Sequence, residues 1–152
     1  MASSSSHRSS RSALDLRKWF DRMQPQTMQI ATWLLYINGA FALINLLDGS
    51  NWIGFARESK GLLGLAVAMA VVVANVGGGL FMANDRRLGY RLAVVAAFSP
   101  FALRIWLSLD WEGYGFFDRI TGNDTIGFIF EVALCALLLH PNSREHQRLW
   151  FS

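Results

Sequence analysis

The sequence predicts an all-α, polytopic membrane protein of four transmembrane helices with both termini cytoplasmic. Composition is the first observation behind this. Of 152 residues, 53% are hydrophobic and only 16% charged, and the mean hydropathy of +0.28 is far from that of an ordinary soluble domain. The second observation is where charge is missing. No charged residue lies between Arg22 and Asp48 or between Lys60 and Asp85; Arg104 alone interrupts the run from Arg91 to Asp110, and Glu131 alone the run from Asp124 to Arg144. Four apolar stretches therefore approach the roughly 20 residues that a helix needs to cross a bilayer. The third is that the basic residues favour alternate gaps between these stretches.

Residues 1 to 12, with Ser3 to Ser6, Ser9, Ser10 and Ser12, carry too few apolar side chains to bury a surface and read as a disordered tail. From 13 to 26, Ala13, Leu16, Trp19, Phe20 and Met23 recur at helical spacing among Arg11, Arg17, Lys18 and Arg22. That is the pattern of a basic amphipathic helix lying at the membrane interface. The transmembrane domain then occupies residues 27 to 140. Its first span, about 27 to 47, follows a basic flank as a signal-peptide core does. It is longer than such a core, lacks a small-residue cleavage site and is followed by three more apolar stretches, so it reads as an uncleaved span.

Asn38 and Asn45 on this first span are seven residues apart and share a face, which should turn inward because buried amides need partners. Asn75 on the second span, Gly61 to Ala83, is the expected partner of Asn38. The second span also carries Ala66, Ala70, Ala74 and Gly78 at every fourth position, a seam that should let another helix backbone approach closely. The third span, Leu88 to Leu109, contains Pro100, whose missing N–H frees a carbonyl that the hydroxyl of Ser99 is placed to satisfy. The fourth runs from Thr125 to His140 and ends at Pro141, leaving residues 141 to 152 as a short cytoplasmic amphipathic tail.

Orientation follows from the basic residues. Arg8, Arg11, Arg17, Lys18, Arg22, Arg86, Arg87, Arg91, Arg144 and Arg148 fall on one side, and only Arg57, Lys60 and Arg119 on the other. The positive-inside rule places the first set in the cytoplasm. These flanking positions also account for the net charge of +3 and the pI near 9.5, so no nucleic-acid partner is expected.

The two ionisable residues inside spans are the sharpest candidates. Arg104 lies about five residues before the end of the third span and Glu131 about six after the start of the fourth, which at 1.5 Å per residue puts both roughly 8–9 Å beneath the outer boundary. An intramembrane charge is costly and seeks a partner, so the two should meet. No catalytic set accompanies them. His7, His140 and His146 are scattered, and the single Cys135 excludes an intramolecular disulfide and a cysteine metal cluster. There is no HExxH, no phosphate-cradling glycine loop with its lysine and no nucleophile elbow. The sequence thus assigns no catalytic, metal or cofactor residue. It predicts a plasma-membrane interaction or accessory subunit whose partners are the lipid bilayer and either a second copy or another membrane protein. The competing expectation is a small transporter or channel component that uses Glu131, paired with Arg104 and near Asn38.

Overall fold

Pro25 sets the start of the first helix: its ring is compatible with the extended entry (φ −54°, ψ 145°) and its carbonyl accepts from the amides of Met28 and Gln29. The computed structural model describes residues 15–20, 22–109, 115–121 and 124–150, so the Ser-rich stretch 1–12 lies outside the described residues. Helix α1, Gln26–Asp48, ends at Gly49, whose φ of 69° is left-handed and whose amide bonds back to the carbonyl of Asn45.

Helix α2, Asn51–Ala83, is broken at Gly61, where φ 56° and ψ −127° form a conformation only glycine adopts readily. The segment before the break folds back along the segment after it. Gly64 sits so close to the carbonyl of Ala56 that no side chain fits between them. This fold-back buries Trp52, Ile53 and Ala56 against Ala68, Val71, Val72, Ala42, Leu46 and Leu107. A second cluster toward the Pro25 end unites Met28, Ala31, Leu34 and Leu35 of α1 with Met82, Ala93, Ala96, Ala97, Leu134 and Leu138.

Helix α3, Arg87–Ser108, contains Pro100. Ser99 Oγ donates to the carbonyl of Ala96 at 2.8 Å, the carbonyl that the proline cannot serve. Next come α4, Phe116–Thr121, and α5, Thr125–Leu139, and then α6, Pro141–Trp150. Helix α5 packs chiefly against α1 and α3. At its far end the hydroxyl of Tyr90 donates to the carbonyl of Leu138 at 2.7 Å, and Ser143 Oγ lies 2.9 Å from Thr27 Oγ1, tying α6 to the start of α1.

Among the described residues the protein is all-helical apart from turns and short extended connections. Helices α1, α2 and α3 are each long and apolar enough to cross a membrane, and α5 with α6, bent by 50° at the junction, makes up to four. Alone, the 15 residues of α5 extend only about 22 Å at the α-helical rise, short of a hydrocarbon core of about 30 Å.

One sequence expectation is corrected. Residues 15–20 and 22–25 are turns and extended chain rather than part of an interfacial helix over 13–26. Their polar groups are taken by tertiary partners: Asn84 accepts from the Asp15 amide and donates to the carbonyls of Asp15 and Lys18, while Gln24 Nε2 donates to Met82 O and Asp85 Oδ1. Trp19 and Phe20 rest against Tyr36 and Trp33 of α1. The small-residue row on α2 divides between the inside and the outside of the fold. Gly78 is buried and Ala74 half-buried, but Ala66 and Ala70 are exposed. The inner face of α2 carries Gly64, against the Ala56 carbonyl of the folded-back segment, and Ala68, Val71 and Val72, which pack with Ala42 of α1 and Leu107 of α3.

Candidate functional site

Helix α5 begins with a cap. The Asp124 carboxylate accepts from the Gly127 amide at 2.9 Å, satisfying one of the orphan donors of the first turn. Two turns into the helix, Glu131 faces α3, and Arg104 reaches it from there. Arg104 Nη1 lies 2.8 Å from Glu131 Oε2 and Nη2 lies 2.8 Å from Oε1, a bidentate pair. Such fork-to-fork geometry is stronger and more directional than a single charged contact. Nη1 also donates to the carbonyl of Ile120 at 3.0 Å, so the guanidinium joins α3, α4 and α5. The Trp52 ring lies 5.7 Å from the guanidinium carbon, adding a cation–π contact from the fold-back segment. Arg104 is 3% exposed.

Beside the pair is a cavity of about 360 Å³. Its walls include Asn38 and Asn45 of α1, Trp52 and Asn75 of α2, Pro100 and Arg104 of α3, and Asp124 and Glu131 of α5. The cavity exists because α5 packs inward only over part of its length. Leu134 and Leu138 enter the core toward the Pro25 end, whereas the cluster toward the Gly49 end holds no α5 residue, and Ile126, Ile129 and Phe130 stay exposed. The ion pair spans the gap that apolar packing leaves open.

Compared with protein-family models, curated proteins and solved structures, the chain matches none.

The structure brings Arg104 and Glu131 together as their depths require. It places Asn38 and Asn45 on one face toward the same cavity, with Asn75 beside them. The expected Asn38–Asn75 bond does not form: Asn75 Nδ2 donates to Val71 O of its own helix at 2.9 Å, and Asn45 Oδ1 accepts from Ser50 Oγ. Ala66, Ala70, Ala74 and Gly78 do not line this cavity. Sequence reasoning missed Asp124 and Trp52. An Asp immediately before Thr125 and an apolar run is a readable helix-start signal, but nothing in the sequence announces that the segment carrying Trp52 folds back over Arg104. Among the described residues no three His, Cys, Asp or Glu side chains converge as metal ligands.

Proposed function

We propose that the chain is a non-enzymatic integral protein of the plasma membrane, an interaction or accessory subunit that packs against a second copy or another membrane protein. In this reading the fourth crossing is the stretch Thr125 to His140, and α6 lies beyond it as the cytoplasmic amphipathic tail. Both termini and the Arg86–Arg87 turn are cytoplasmic, because ten of the fourteen basic residues flank the spans on that side. The Gly49 end of the bundle is then the outer end.

The observation that carries the proposal is the exposed half of the α2 seam. Ala66 and Ala70 stand one turn apart on the outside of the fold, a place where a neighbouring helix can approach more closely than it can over the exposed Leu62, Leu63 or Val73. The closed Arg104–Glu131 pair agrees with it, since the carboxylate within the apolar stretch is already engaged by a guanidinium. Cross-linking tests the reading. With Cys135 replaced by alanine, cysteines at Ala66 and Ala70 should capture a partner in intact membranes, and one at the exposed Val95 of α3 should not. Equal absence of products at all three positions, together with purification as a lone monomer in mild detergent, would refute it.

The cavity favours one other reading, a small transporter or channel component in which Glu131 carries charge with Arg104 and Asn38 nearby. Proton flux in reconstituted vesicles that Glu131→Gln abolishes without loss of folded protein would select it.

A further inference from the structure

Arg104 has five N–H donors in a fixed fork, and three of its hydrogen bonds are accounted for by Glu131 and Ile120. Its Nε is buried and has no partner among the described residues. A buried donor left without an acceptor is costly, and Arg104 is itself one of the residues that line the cavity, so a polar occupant that draws the guanidinium slightly toward it gives that donor an acceptor. The uncharged polar side chains in the same wall include the amides of Asn38, Asn45 and Asn75, which supply both donors and acceptors.

The charge balance narrows the class of occupant. Arg104 and Glu131 cancel, and Asp124 is held by the Gly127 amide at the partially positive start of α5. An anion would face two carboxylates and a cation would face the guanidinium, so the polar wall suits an uncharged head group that hydrogen-bonds. The rim narrows it further. Phe41, Ile126 and Phe130 line the same cavity yet are exposed at 56%, 71% and 39%, leaving an apolar opening between α1 and α5. At about 360 Å³ the space falls at the small end of the roughly 300–1,000 Å³ of small-molecule sites.

We infer that this cleft binds an amphipathic molecule with an uncharged hydroxyl- or carbonyl-bearing head, the head lodged among Asn38, Asn75 and Arg104 and the apolar chain leaving between Phe41 and Phe130 into the bilayer. The inference goes beyond the accessory reading and does not rest on it, because binding is measured on the purified chain without a partner.

The test uses the full chain in phosphatidylcholine nanodiscs with a monoacylglycerol carrying a photoactivatable diazirine, the adducts being mapped by peptide mass spectrometry. Adducts should concentrate on the α1 and α5 residues that line the cleft. Excess monoolein should compete, and neither oleate nor free glycerol should, which separates the uncharged amphipath from a fatty anion and from a soluble head group. Asn38→Leu, at a half-buried position, should weaken labelling about three- to tenfold, as expected for one lost hydrogen bond in a shielded site. Ala42→Phe, which fills the cleft, should abolish it; thermal unfolding of each variant confirms that a folded protein was labelled. Adducts spread evenly over Leu62, Val73 and Val95, competition by oleate equal to that by monoolein, or wild-type labelling in both folded variants would each overturn the inference.

Discussion

Arg104 and Glu131 hold each other through two parallel contacts of 2.8 Å, the arginine side chain 2% exposed and the glutamate 12%. Removing one partner leaves the other charge below the surface without its counter-charge. Glu131→Ala and Arg104→Ala should each lower stability by about 3–5 kcal/mol, the range for breaking a buried pair. The double replacement Arg104→Met with Glu131→Leu should recover most of that loss, because well-packed apolar residues often substitute for a buried pair without penalty. Recovery stays incomplete by about 1 kcal/mol, the net worth of the hydrogen bond that Arg104 also gives to Ile120. Thermal unfolding in detergent reads this directly; a double variant no more stable than the weaker single one would show that the pair is not a coupled unit.

Two glycines of α2 separate backbone from packing effects. At Gly61 an added Cβ meets nothing within 4 Å, yet φ is 56° and ψ −127°. Gly61→Ala should therefore destabilise by about 1–3 kcal/mol through conformation alone. Gly77 also has open space around a Cβ but lies in regular helix. There, Gly77→Ala should stabilise by about 0.5–1 kcal/mol, since alanine restricts the unfolded chain and favours the helix. Denaturation midpoints of the two variants should move in opposite directions, and a shared direction would count against the break at Gly61.

The helical spans were legible because charge gaps and hydropathy operate at the scale of whole helices. The Arg104–Glu131 contact was legible because depth along two helices is simple arithmetic. The failures came where local pattern and tertiary partner compete. Leu16, Trp19 and Met23 have helical spacing, but Asn84 bonds to the backbone of Asp15, Gln24 donates to Met82 O, and Pro25 admits no continuous helix into α1. The four-residue alanine row was visible too. Which side of α2 faces the bundle depends on the Gly61 break and the fold-back of Trp52, and neither is encoded in the spacing of small residues.

Asn84 offers a test of that N-terminal segment. Its side chain accepts from the Asp15 amide and donates to the carbonyls of Asp15, Lys18 and Leu80. Asn84→Ala should release residues 15–20 while leaving the helices folded. Amide exchange at Asp15 and in its neighbours should accelerate about fivefold to thirtyfold, the effect of losing 1–2 kcal/mol of local stability, with little change in α1 or α3. Uniform acceleration through the bundle would mean that the segment is part of the global folding unit.

Neighbouring positions on α2 give the last prediction, because one faces the interior of the fold and the other its outside. Val71 is 5% exposed and packs with Ala68, Val72, Ala42 and Leu107, whereas Ala70 is exposed. The longer side chain must be fitted between these neighbours and the cavity that Val71 also borders, so Val71→Leu should cost about 1 kcal/mol. Ala70→Leu adds its bulk to the outside and should leave unfolding of the isolated monomer within about 0.5 kcal/mol of wild type. If Ala70 instead contacts a partner, the same substitution should reduce the cross-linked species in membranes, since a bulky side chain holds two backbones apart. Monomer unfolding and membrane cross-linking therefore read different faces of one helix, about 100° apart. A large loss of monomer stability in Ala70→Leu with none in Val71→Leu would show that the rotation of α2 about its axis is wrong.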